Sequence, residues 1–77
     1  MVEEVGVNAK EKRYVAALAR YMVDHMHCME SEYSVMRLLV ERMKRWPKDT
    51  RRHGVKAGLR AHKKNRKLYL DVMGGRV

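Results

Sequence analysis

"GVKAGLRAHKKNRKLYLDVM", residues 54–73, carries six lysines and arginines in the twelve positions from Lys56 to Lys67, with no acidic residue before Asp71. On a helical wheel at about 100° per residue, the stretch divides into two faces. Lys56, Arg60, Lys63, Lys64 and Lys67 fall within an arc of roughly 100°. Val55, Gly58, Ala61, His62, Tyr69, Val72 and Met73 lie opposite, with Leu59, Leu68 and Leu70 on the borders. A helix patterned this way packs its apolar face on other helices and turns the other toward something negative. A merely solvated face mixes signs, because Glu–Lys pairs four residues apart stabilise and like charges do not. A polyanion is therefore the expected partner. An anionic membrane surface is the weaker alternative, since this helix has no Trp or Phe on its apolar face.

Upstream, helical spacing dominates; phenylalanine is absent and Pro47 is the sole proline. The first helix is expected to open at Asn8, capped by its side chain, with Glu11 completing a capping box. Tyr14, Leu18, Tyr21, Met22, His25, Met26 and Met29 then recur at steps of three and four, a stripe expected to be core. The stretch "CMESE" (residues 28–32) reads as a break with Ser31 capping the next helix, or as a bend in a continuous one. Val35, Met36, Leu39, Met43 and Trp46 supply the second stripe, which Pro47 ends at Trp46. "PKDTRRHG" (residues 47–54) reads as a turn, with Asp49 or Thr50 starting a third helix at Arg51 or Arg52. That helix should run to Met73, with Gly74 and Gly75 stopping it. Gly54 and Gly58 cost it about 1 kcal/mol each, which points either to close approach of another segment or to flexibility. The expected fold is all-α: a small antiparallel bundle of three helices, or four, forming a single domain over residues 1–77.

Seventy-seven residues bury only a thin core. Cys28 is the only cysteine, so no intrachain disulfide reinforces the core, and a reducing compartment is the natural setting. Partial unfolding or poor solubility is expected without a partner. The N-terminus is acidic and lacks a signal-peptide layout, and no apolar run reaches membrane-spanning length. The net charge of +9 is unevenly placed: residues 1–41 carry −2, whereas residues 42–77 carry thirteen Lys/Arg against Asp49 and Asp71. The C-terminal half is thus the contact half, and nucleic acid is the leading polyanion. Arg42, Lys44, Arg45, Lys48, Arg51 and Arg52 extend the basic row through the turn. A basic helix–turn–helix corner suits a folded RNA read by shape; Asn65 alone is thin support for reading base edges in duplex DNA.

"LLVERMKRWPKDTRRHGVKAGLRAHKKNRKLYLDVM", residues 38–73, resembles the C-terminal half of ribosomal small-subunit protein fifteen, of the bacterial and organellar type. Lys48-Asp49, Leu59-Arg60, Arg66-Lys67-Leu68 and Asp71 stand where that family has a basic turn with Lys-Asp, a Gly-Leu helix, Arg-Lys-Leu and Asp-Tyr-Leu. The chain departs from the pattern at Arg42, where the family has His, and at Arg52, or Gly54 in a longer loop, where it has Ser. The family's contacts at the start of its second helix have no counterpart in residues 24–34. The resemblance implies an antiparallel helical bundle bound to a helix junction of small-subunit ribosomal RNA, with neighbouring ribosomal proteins as further partners. It also implies that Asp49 organises the corner. Its divergence fits a mitochondrial ribosome, with a cytoplasmic ribosome as the alternative.

The expected RNA-binding residues are Arg42, Arg45, Lys48, Asp49, Arg51, Arg52, Lys56, Arg60, Lys63, Lys64 and Lys67. The expected function is non-enzymatic, with no cofactor and no small-molecule substrate. A general nucleic-acid-compacting protein and an assembly subunit docking on an acidic protein are the rival readings. "HMHC" (residues 25–28) offers His25 and Cys28 on one helix face but no second pair to complete a metal site. His53 and His62 among lysines could serve acid–base cleavage of RNA only with a second constellation, which the chain lacks. Trp46 reads as a lid on the core, or as a base-stacking ring.

Overall fold

The computed structural model describes the backbone of residues 2–74 and the side chains of residues 9–74. Among these residues there are three helices and no strand: α1 (Val2–Asp24), α2 (Glu32–Arg42) and α3 (Lys48–Gly74). The all-α bundle expected from spacing is the fold. α3 packs along α1 and against α2.

Three pairings fix how α1 and α3 lie. Thr50 Oγ1 donates to Glu11 Oε1 at 3.3 Å across a separation of 39 residues. A Cβ built on Gly54 would meet Val15, and one built on Gly58 would meet Ala19, each pair again 39 apart. Residue numbers rise together, so α1 and α3 are parallel. Near the far end Asn65 Nδ2 donates to Asp24 Oδ1 at 2.9 Å. α2 runs the other way, because Gly54 faces Met43 and Gly58 faces Leu39.

These pairings stack the core in layers four residues apart. One layer joins Val15, Gly54 and Met43, and the next joins Ala19, Gly58 and Leu39. Continuing the same register brings Val23, His62 and Val35, all buried, to one level. α3 is glycine at the first two of these levels. A side chain there would hold the helices apart; its absence brings valine, alanine, leucine and methionine to van der Waals contact. The glycines therefore serve close approach, and the neighbours they admit are side chains.

Local chemistry sets the helix ends. At the end of α1, the His25 and Met26 N–H groups turn to the carbonyls three residues back, Met22 and Val23, at 3.1 and 3.0 Å. The His25 ring Nδ1–H donates to the Tyr21 carbonyl, one of the last of the helix, at 2.8 Å. His27 Nδ1 accepts from the Met29 N–H at 3.0 Å. "HMHC" thus closes a helix and shapes a turn. Ser31 is the N-cap of α2, as its position suggests, accepting from the Ser34 N–H at 3.1 Å. The Pro47 carbonyl accepts from the Arg51 N–H at 2.8 Å, so Pro47 flanks the first turn of α3, where its missing donor costs nothing.

Five expectations are corrected. Asn8 lies within α1, and Glu11 serves Thr50 instead of a capping box. Only part of the stripe assigned to the core of α1 reaches it: Met22 and Met26 pack half-buried against the core, whereas Tyr14 and Tyr21 are 57% and 63% exposed and His25 and Met29 also face outward, and Val15, Ala16, Ala19 and Val23 are buried instead. On α1 the positions that face the glycines of α3 are the valine and alanine, Val15 and Ala19. Met36 is likewise exposed, and α2 stops at Arg42, four residues before Trp46. α3 begins at Lys48, so Asp49 and Thr50 lie in its first turn and outside the loop. Leu68, Tyr69, Leu70, Val72 and Met73 do not pack on the other helices. The register explains this last point: α1 ends opposite residue 65 and α2 begins near that level, so the last turns of α3 project past both. Gly74 ends α3; the stop expected at Gly75 lies outside the described residues.

Candidate nucleic-acid interface

The buried positions of α3, Thr50, Gly54, Gly58 and His62, run four apart down one side. The opposite side is the basic ridge: Lys56, Arg60, Lys63, Lys64 and Lys67 are all exposed. From Lys48 to Lys67 the cations span about 28 Å of helix at 1.5 Å per residue. Among the described residues the only ion pair is Lys44–Glu41 at 3.8 Å, which takes in none of these cations. No described acid is therefore paired with a ridge charge, and each ridge cation can neutralise a phosphate with release of counterions.

Grooves flank the ridge on both sides. Between α1 and α3, Arg20 comes up beside Arg60 and Lys64 over a floor of Ala57 and Ala61, around a cavity of about 210 Å³. Between α2 and α3, Lys48, Arg51, Arg52 and Lys56 rim a cavity of about 250 Å³ floored by Met36, Val40 and Val55. Arg51 is half-buried and aimed: its Nη1 donates to the Lys44 carbonyl at 3.2 Å, tying the loop to the first turn of α3.

The structure thus brings together nine of the eleven expected residues: Lys48, Asp49, Arg51, Arg52, Lys56, Arg60, Lys63, Lys64 and Lys67 all lie on α3. Arg45 is exposed in the loop before it. Arg42, at the end of α2, stands about 200° around that helix from Val40, on the flank away from the groove. Asp49 is exposed in the first turn of α3, where a carboxylate complements the helix dipole. The polar tie at that corner belongs to Thr50, 1% exposed and bonded to Glu11. Arg20 is a cation that sequence reasoning missed. Its signal lies in the 39-residue register, which sets it above two alanines of α3, and no spacing within α1 reveals that. Trp46 is half-buried against the core with the Tyr14 ring 5.7 Å away, as a lid would be. His53 and His62 lie nine residues apart on α3, about 180° around the helix, one exposed and one buried.

No protein-family model, curated protein or solved structure matches this chain. Among the described residues, no helix is long and apolar enough to cross a membrane.

Proposed function

We propose that the chain is a non-enzymatic RNA-binding protein, a structural component of a small ribosomal subunit that grips a helix junction of the ribosomal RNA. One observation carries the binding mode: an exposed basic ridge from Lys56 to Lys67, about 17 Å long, with no described acid in ion-pair distance of it and flanked by cationic grooves. A ridge between two grooves offers parallel lines of charge to two sugar–phosphate strands, the arrangement a junction presents and an isolated strand does not. Counterion release supplies the affinity. Arg60, Lys63, Lys64 and Lys67 would hold one strand with Arg20, and Lys48, Arg51, Arg52 and Lys56 the other. The ribosomal assignment, and with it an organellar compartment, rests on the resemblance of residues 38–73 to the small-subunit family.

The test reverses charge on the ridge. Lys56→Glu with Lys63→Glu is expected to abolish binding to a three-way-junction RNA while leaving helicity unchanged by circular dichroism. Arg20→Ala should lower the slope of log K against log salt by about 1. Unchanged affinity in the double variant would sink the reading. Equal affinity for junction RNA and plain duplex DNA would favour a general nucleic-acid-binding protein instead.

A further inference from the structure

The groove between α2 and α3 has a feature that phosphate binding leaves unused. Its floor is aliphatic: Met36 and Val40, one turn apart on α2, are 37% and 44% exposed, and Val55 completes it from α3. Phosphates gain nothing from such a surface, and an apolar floor within a cationic rim is a different recognition pattern. Lys48, Arg51, Arg52 and Lys56 form that rim, and no described acidic side chain lies within ion-pair distance of any of them. The floor asks for aliphatic side chains at helical spacing, and the rim asks for carboxylates on either side of them.

The geometry points to a docking site for an acidic amphipathic helix of a protein partner, one that seats leucine-like residues on Met36, Val40 and Val55 and sets carboxylates against the four cations. Charge complementarity selects this occupant. A second copy of the chain would bring its own net charge of +9 against a basic rim. A membrane surface would want Trp or Phe at the groove, and the floor is Met and Val. The rim spans Lys48 to Lys56, about 12 Å of helix axis, enough for two turns of a partner helix lying in the groove. The inference does not rest on the nucleic-acid reading. A partner here would displace the strand assigned to Lys48, Arg51, Arg52 and Lys56 and leave only the strand held by Arg20 and Arg60 to Lys67, so peptide and junction RNA exclude each other in this groove.

The experiment titrates the full chain with a synthetic 18-residue helix carrying Leu at positions i, i+3, i+4 and i+7, flanked by Glu. Binding should shift the Met36, Val40 and Val55 methyl resonances. The neutral double variant Met36→Ser/Val40→Ser should weaken it at least tenfold while leaving junction-RNA affinity within twofold. A peptide with Ser in place of Leu should bind at least tenfold more weakly than the parent. Equal binding of the Ser peptide, or no loss in the double variant, would reduce the site to non-specific charge and overturn the proposal. Loss of RNA binding in the double variant would make the groove a nucleotide site. Concentration-dependent dimerisation or anionic-vesicle binding, abolished by the same two substitutions, would assign it to a second copy or to lipid. Each of these outcomes overturns the peptide assignment without touching the ridge.

Discussion

The bundle is decided at Gly54 and Gly58. Alanine at either site would recover about 1 kcal/mol of helix propensity, so the sign of the change rests on what the new Cβ meets. At Gly58 it would lie 2.5 Å from Leu39 Cδ1, 3.2 Å from the other Leu39 methyl and 3.1 Å from Ala19 Cβ. The Ala19 carbon is fixed to its backbone and cannot turn aside. At Gly54 the nearest atom, 2.6 Å away, is Met43 Sδ, the flexible part of a long side chain, but Val15 Cβ, as fixed as that of Ala19, also lies at 3.1 Å. Overpacking costs about 1–3 kcal/mol where neighbours cannot yield. The fixed contact is the same at both sites, so Gly58→Ala and Gly54→Ala are each expected to destabilise, by about 1–2 kcal/mol. A thermal melt in which either variant is more stable than the parent would refute the layer assignment. His62 makes the opposite case. It is 2% exposed, and its Nε2 has no hydrogen-bond partner. An orphaned buried polar atom costs about 1–3 kcal/mol, so His62→Leu, similar in bulk, should raise the melting temperature. A lower one would mean that the imidazole has a role in packing beyond its volume.

Among the elements, what could be read from sequence and what could not separate cleanly. The break near Ser31 was legible because Ser31 carries its own capping signal, but α1 already ends at Asp24, before the stretch 28–32 in which the break was expected. The two faces of α3 were legible because lysine and arginine avoid burial whatever the partner. The orientation of α1 was not: Tyr14 and Val15 are both apolar, and only the narrow space beside Gly54 and Gly58 decides which turns inward. The basic ridge was visible within one helix, whereas Arg20 and the aliphatic floor at Met36 and Val40 needed the register between helices. The end of α3 shows the same limit. Leu68, Leu70, Val72 and Met73 look like core on a wheel but lie beyond the ends of α1 and α2. A chain ending at Lys67 should therefore keep its stability, losing chiefly the edge contact between Tyr69 and His27, whose ring centroids are 6.1 Å apart. It would also end on Arg66 and Lys67, which suit a helix C-terminus. The expected melting temperature is within about 4 °C of the full chain, less than 1 kcal/mol for a domain this size, with less aggregation. A larger fall would show that the projecting turns pack on something the register does not place there.

For the molecule as a whole, charge and core size act together. The fully buried apolar side chains are Val15, Ala19, Val23, Val35, Leu39 and Met43, a thin core for a body extending 54 × 22 × 15 Å. Against it stands the repulsion of a +9 chain whose positive charge is concentrated along one helix. Two effects of salt follow, and they have opposite signs. For the free chain, added NaCl shortens the Debye length from about 30 Å at 0.01 M to about 8 Å at 0.15 M. That range begins longer than the span of the ridge and ends near the spacing of two helical turns. Screening should relieve the repulsion and raise the melting temperature. A polyanion bound to the ridge adds stability by mass action, about 2.7 kcal/mol at a hundred times its dissociation constant, and salt weakens that binding steeply. Melts with and without a junction RNA should therefore converge as NaCl rises, the free chain climbing while the complex falls. If the free chain were destabilised by NaCl over this range, the ridge charges would be engaged in attractive pairs within the fold. If the increment from RNA survived high salt unchanged, the binding would be carried by contacts other than the ridge.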